Sequence, residues 1–260
     1  MFFKDVGHSQ EGAQEVSKLL DGGFFSGPKP QRLMQRLLTL ANLKADSVVL
    51  DFFSGSASTA HAVMSKNAED GGHRKFIMVQ LPEECDEQSE AYKAGYKNIC
   101  EIGKERIRRA GDKIKSESPL TTQDLDIGFR VLKLDDTNMK DVYYAPDDYD
   151  QGMLAALESN IKEDRTDLDL LFGCLLEWGL PLSMPYTSEE ISGCTVHTYN
   201  DGDLIACFDE NIPDEVVKTI AKRQPLRAVF RDSSFNGSPA KINVTEVFKL
   251  LAPDTRVKVI

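Results

Sequence analysis

The 260-residue chain lacks any apolar run of the about 18 residues a membrane helix needs; its most apolar stretch, Leu168 to Leu182, is broken by Asp169 and Glu177. Residues 1–25 lack the basic start, apolar centre and small-residue cleavage site of a secretory leader. Cysteine is sparse. The five residues, at 85, 100, 174, 194 and 207, form no CxxC and no regular framework, so they read as reduced thiols of a cytoplasmic protein rather than staples or zinc ligands. The four histidines, His8, His61, His73 and His197, have no metal-ligand spacing with each other or with cysteine. There is no Walker A lysine motif, no GxSxG and no GxGxxG, which removes the sequence signatures of a P-loop nucleotidase, a nucleophile-elbow hydrolase and a dinucleotide-binding dehydrogenase.

What is present describes a folded chain. Hydrophobic residues make up 41% and charged residues 28%, enough to build a core, and the length suits two modest domains. The net charge of −11 is unevenly spread. Residues 1–120 carry 17 basic and 17 acidic side chains; residues 121–260 carry 14 and 25. A boundary near residue 120 is therefore expected, with no phosphate-binding face on the acidic side of it.

In the first half, a short helical patch around Glu15–Leu20 precedes the rigid turn Ser26-Gly27-Pro28-Lys29-Pro30. A helix follows with Leu33, Met34, Leu37, Leu38 and Ala41 on one stripe. Ser47–Phe53 and Arg74–Leu81 are nearly continuous apolar runs, as buried parallel strands are. Between them, the small-residue turn Ser54-Gly55-Ser56-Ala57-Ser58 opens a helix over Thr59–Lys66. Glu90–Lys115 reads as one long helix, with Tyr92, Tyr96, Ile99, Ile102, Ala110 and Ile114 near a 3.6 period. Within it, the cluster Lys104, Arg106, Arg108 and Arg109 could touch a phosphate, but interleaved with Glu101 and Glu105 it reads better as a solvated face. This order is half of a doubly wound α/β sheet, and the turn after the first strand is where such sheets take nucleotides.

In the second half, Asp126–Asp136 reads as a strand, and Met153–Lys162 and Leu168–Trp178 as amphipathic helices. Cys194–Tyr199 and Leu204–Phe208 flank the hairpin signal Asn200-Asp201-Gly202-Asp203. Pro213-Asp214-Glu215 opens a helix; Ala228–Arg231, Val244–Leu251 and Arg256–Ile260 complete a small mixed α/β domain. Asp232, Ser233 and Ser234 read as a polar loop after a strand.

Three segments carry a family resemblance. Asp51-Phe52-Phe53-Ser54-Gly55-Ser56-Ala57-Ser58-Thr59 resembles the DxFxGSGTT cofactor motif of amino-methyltransferases acting on DNA. Phe25-Ser26-Gly27-Pro28-Lys29-Pro30, with Leu33 and Leu37, resembles their F-x-x-x-KP-x-x-L motif, in the order used by β-class adenine-N6 enzymes. The string RKFIMVQLPEE through SEAYKAGYKNICEIGKERIRRAG is similar to the modification (Mod) subunit of Type III restriction–modification systems, most specifically over residues 3–115 and more loosely to the VKVI terminus. The resemblance implies a partial Rossmann-like methyltransferase sheet over 1–120, followed by an interaction domain over 121–260.

It also implies S-adenosylmethionine as cofactor. Asp51 would face the ammonium, or simply cap the turn. Gly55, Ser56 and Ala57 would supply close backbone, with Thr59 at the helix start. Ala57 stands where the family has glycine, at a cost of about 1 kcal/mol if φ is positive there. Phe25, Lys29 and Pro30 would sit beside the methionine moiety, with Lys29 pairing the carboxylate or solvated in its turn. Gln80 would reach the ribose where the family has an acid, with Glu83 as the nearby carboxylate. Phe52 and Phe53 would be mostly core, one ring flanking the adenine.

The family's D/N/S-PP-Y/F loop, which activates the flipped adenine's amine, has no counterpart in the chain; Met184-Pro185-Tyr186 and Tyr144-Ala145-Pro146 do not match it. No catalytic residue and no metal is therefore expected, and the chain reads as a C-terminal part of a Mod subunit. Implied partners are the missing catalytic and target-recognition region, a second Mod copy, the restriction subunit, and duplex DNA through the complete enzyme. A non-catalytic assembly module that has lost its cofactor is the alternative.

Overall fold

The computed structural model describes residues 7–140, 160–235 and 237–260, and the chain divides into two compact units at Phe129/Arg130. No described helix is long and apolar enough to cross a membrane.

The first unit runs α1 (Ser9–Leu20), α2 (Gln31–Leu40), β1 (Val48–Phe52), α3 (Ser58–Asp70), β2 (Lys75–Val79), α4 (Glu90–Lys93) and α5 (Ile99–Glu117). β1 and β2 pair in parallel, Leu50 opposite Ile77 and Phe52 opposite Val79, with α3 as the crossover. The inward residues Val49, Phe76 and Met78 pack on the helices together with Leu38, Ala60, Val63, Met64, Ile107 and Ala110. At the far end of the crossover, Asn67 pairs with the backbone N–H and C=O of Arg74 at 3.1 and 2.9 Å. Asp70 takes the Arg74 guanidinium at 2.8 and 3.0 Å, which holds its carboxyl below the ordinary range.

Two expectations fail here. The strands are not buried on both faces: Val48, Leu50, Phe52 and Ile77 point away from the helices and are more than half exposed, and Phe53 beyond them is 62% exposed. Among the described residues no element packs over that side of the sheet, so the Phe52/Phe53 pair is surface rather than core. Nor is Glu90–Lys115 one helix. Gly95, at φ 101°, ends the short α4, and Asn98 restarts the chain as N-cap of α5, its side chain accepting from the Glu101 N–H at 3.2 Å. With two strands in this sheet, the architecture is α/β; a doubly wound order goes beyond it.

The segment past residue 120 stays with this unit as irregular chain. Thr122 is buried, Ile127 fills the space above Gly111, and Phe129 joins the α5 cluster. The strand expected over Asp126–Asp136 does not form: Ile127 and Phe129 dock on a helix instead of a ladder, and Val131, Leu132 and Leu134 are exposed.

The second unit contains α6 (Asp167–Glu177), β3 (Tyr186–Ile191), β4 (Cys194–Tyr199), β5 (Leu204–Cys207), α7 (Asp214–Lys222), β6 (Arg227–Phe230), α8 (Gly237–Leu251) and β7 (Arg256–Val259). Its five strands lie in sequence order; β3–β4 and β4–β5 are antiparallel, and β5–β6 and β6–β7 parallel. Period-2 alternation sorts the core. Leu204, Ala206 and Val229 face α6, whereas Ile205, Cys207, Ala228 and Phe230 face α7 and α8. The expected mixed α/β layer is present, with the hairpin turn at Asn200–Gly202 in positive φ. The helix expected over Met153–Lys162 falls largely outside the described residues.

Candidate functional site

The turn after β1 is built by four backbone constraints. Ser54 N–H donates to the Val79 carbonyl at 3.0 Å, which ties the turn to the end of β2. Gly55 and Ala57 both adopt left-handed backbone, at φ 51° and 59°, and Ala57 N–H closes on the Ser54 carbonyl at 2.8 Å. Ala57 is then the N-cap of α3, so the first free N–H groups of that helix emerge at the turn. Gly103 on α5 leaves the turn room: a Cβ there would lie 3.2 Å from the Gly55 carbonyl.

The residues nominated from sequence gather on this turn in part. Asp51 accepts from the Thr59 hydroxyl at 2.5 Å, which leaves its second oxygen outside that bond. Gln80 accepts from the Gly55 N–H at 2.7 Å, so its amide oxygen supports the turn itself. Phe25 lies across Gly55: a Cβ on the glycine would come 3.0 Å from the ring. Ser56, Ala57 and Thr59 are buried. Pro30 is buried as N-cap of α2, while the Lys29 side chain is exposed and its carbonyl accepts from the Ser58 hydroxyl at 3.1 Å. Glu83 is exposed and meets Phe25 on the other side, across a cleft of about 340 Å³ also lined by Phe24, Cys85, Asp86 and Ile102. Phe52 and Phe53 stack edge to face, 6.2 Å between centroids, on the bare side of the sheet.

Sequence reasoning missed Arg106. It is fully buried, and its Nη1 donates to Ser56 Oγ at 2.9 Å and Ser58 Oγ at 2.7 Å. Among the described residues its Nε and Nη2 have no hydrogen-bond partner, and burial pulls the guanidinium down to about 10. The solvated-face reading holds for its neighbours alone: Arg109 pairs with Asp21 and Glu105 at 2.7 and 2.8 Å. A signal existed in the sequence. The apolar stripe Ile99, Ile102, Ala110, Ile114 skips the position that Arg106 fills, four residues before Ala110. His61, one turn into α3, is likewise held low, to about 3, first by burial and then by the Arg106 and Lys113 charges.

Reactive residue types also come together in the second unit. His197 sits between Ser188 Oγ at 2.8 Å and Asp167 Oδ2 at 3.3 Å, buried where β3, β4 and α6 meet. Cys194, Cys207 and Asp209 cluster within 4.8 Å; burial raises both thiols, Cys207 to about 12, and Asp209 also accepts from Thr195 N–H at 2.5 Å. Pro185-Tyr186 opens β3, where Tyr186 pairs with Tyr199 and stacks on Phe172.

Comparison with known proteins shows what the chain is similar to. Residues 3–108 match the DNA methylase family, the region that contains α1 to the middle of α5 and the whole turn. The chain is Mod-like. It is 43% identical over 129 residues to the Type III restriction-modification enzyme StyLTI Mod subunit of Salmonella typhimurium, covering 50% of this chain and 19% of that protein. It is 28% identical over 254 residues to the EcoPI Mod subunit of Escherichia phage P1, covering 92% of this chain and 36% of the relative. The Type II methyltransferase M.KpnI of Klebsiella pneumoniae matches at 30% over 105 residues. The chain thus spans between about a fifth and about a third of the length of these Mod subunits.

Proposed function

We propose that the first unit of this Mod-like chain holds S-adenosylmethionine for adenine-N6 methylation of DNA, and that the chain does not complete the transfer alone. The observation that carries the reading is the turn. Two left-handed residues, a buried row of small side chains and a helix start lie at the end of a parallel strand, the place where α/β sheets bind nucleotides. The residues fit the group. Asp51 keeps one carboxylate oxygen for an ammonium, the start of α3 offers N–H groups, and a buried cation stands behind the turn. When bound, S-adenosylmethionine supplies a methyl group on a sulfonium. The chain's own residues bind and orient: Phe25 covers Gly55, and Lys29 reaches solvent beside the turn.

Support for incompleteness comes from the bare apolar side of β1 and β2 and from the absent D/N/S-PP-Y/F sequence. Parallel sheets are ordinarily covered on both faces. The partner that fits is the catalytic and target-recognition region of a Mod-type methyltransferase, through which duplex DNA is reached. The second unit is read as an interaction domain for a second Mod copy or a restriction subunit.

Isothermal calorimetry tests the cofactor. Weak binding of S-adenosylmethionine is expected, lost in Asp51→Ala and strongly reduced in Asp51→Asn, which keeps an acceptor for Thr59 but removes the charge. Unchanged titration of both variants removes the cofactor and leaves the assembly-module reading, which the engagement of Gln80 by Gly55 favours. Radiolabelled methyl transfer to duplex DNA by the purified chain would overturn the claim that it is inactive alone.

A further inference from the structure

Arg106 has no role in the sequence motifs, yet it is the most deeply placed charge beside the turn. Its side chain is 0% exposed, and among the described residues it has no ion-pair partner. The nearest acidic influence is Glu15, whose own Oε2 accepts from the Gln31 N–H at 2.8 Å. The groups it touches or faces otherwise carry no negative charge: the neutral His61 and the hydroxyls of Ser56 and Ser58. A buried, unpaired guanidinium is costly in a protein interior, and a structural role would be served as well by an uncharged donor.

Its contacts show what it links. Nη1 bridges Ser56 and Ser58, and Ser58 in turn donates to the Lys29 carbonyl, so one chain of hydrogen bonds ties α5 to the turn and the turn to the Pro28–Pro30 segment. These are the two segments proposed to hold the methionine end of the cofactor.

Resting on that reading, we propose that Arg106 is the positioning residue of the turn and the cation that makes it select a ligand bearing a carboxylate. It acts through Ser56 and Ser58, from beneath the turn, and its charge is compensated when the carboxylate of an amino-acid-bearing nucleoside binds. Lys29, exposed to solvent, is screened by water and salt, whereas a desolvated guanidinium is screened far less.

The test compares S-adenosylmethionine with decarboxylated S-adenosylmethionine by calorimetry on the full chain. Wild type is expected to prefer the carboxylated ligand by about tenfold or more. Arg106→Gln should reduce that ratio to near one, Arg106→Lys should retain most of it, and Lys29→Ala should leave it unchanged. A preference that survives in Arg106→Gln, with both ligands weakened alike, marks a merely structural residue and overturns the assignment. Should Arg106→Gln not fold, the wild-type ratio in low and high salt together with Lys29→Ala still decides. A ratio that collapses in either condition belongs to the exposed lysine and overturns the assignment; a ratio that persists in both supports it. Binding of both ligands with equal affinity leaves the cofactor reading intact and removes Arg106 from it. Binding of neither removes the cofactor reading itself, and the inference with it.

Discussion

Ala57 shows how one side chain sets the energetics of a turn. Its left-handed backbone costs about 1 kcal/mol, yet its methyl is buried against α5 and returns a similar amount, about 0.8 kcal/mol. Ala57→Gly is therefore expected to change stability by less than about 0.5 kcal/mol in urea denaturation, with cofactor affinity kept or improved. Gly55 has no such compensation. Its φ is also positive and Phe25 closes the space above it, so Gly55→Ala should cost about 1–2 kcal/mol, part of it recovered by adding Phe25→Leu. His61 makes stability depend on pH. Its folded-state pKa lies below its unfolded value of 6.5, so its contribution is fully present above pH 6.5 and is lost as pH falls toward about 3. Denaturation at pH 7 and pH 5 should differ by at most about 2 kcal/mol from this group, and His61→Gln should shrink the difference. The turn's small residues were legible as residues. Arg106 was not, because a charge within a run of charges looks solvated until the helix is seen to place it on the buried stripe.

Helices and strands were legible where one local signal dominated. The small-residue turn fixed the start of α3, proline and acids fixed α7, and the Asn200–Gly202 turn fixed the β4–β5 hairpin. Reading failed where two signals competed. The stripe over Glu90–Lys115 is helical throughout, but Gly95 and Asn98 together break it. Asn98→Ala should lower stability by about 1 kcal/mol, measured by thermal or chemical unfolding, whereas Asn98→Ser or Asn98→Asp should be nearly silent. Strand β3 was missed because Ser188, Glu189 and Glu190 make it polar, as an edge strand is; the Ser192-Gly193 turn before Cys194, at φ 50° and 81°, was its available signal. The reverse error, a strand over Asp126–Asp136, arose from apolar residues of which Ile127 and Phe129 dock onto the α5 cluster and the later ones stay exposed.

Across the molecule, charge separates the two halves more sharply than composition does. Residues 121–260 carry the whole excess of −11, with 14 cations outnumbered by 25 acids, so net repulsion opposes the phosphate contacts that would release counterions from DNA. In fluorescence anisotropy the second unit is expected to bind a duplex no better than a generic acidic protein, at any salt concentration. The boundary near residue 120 was read from that charge step; the packing that carries the chain on to Phe129 leaves no trace in charge.

The first unit's uncovered sheet has a consequence for the life of the chain inside a cell. Val48, Leu50, Phe52, Phe53 and Ile77 display on a folded surface what chaperones and quality-control proteases otherwise meet on unfolded ones. A chain that exposes such a patch survives in proportion to how soon the patch is covered. Its half-life in a pulse-chase experiment should lengthen when the catalytic region of a Mod-type methyltransferase is expressed alongside it. Phe52→Lys with Phe53→Lys should weaken that protection.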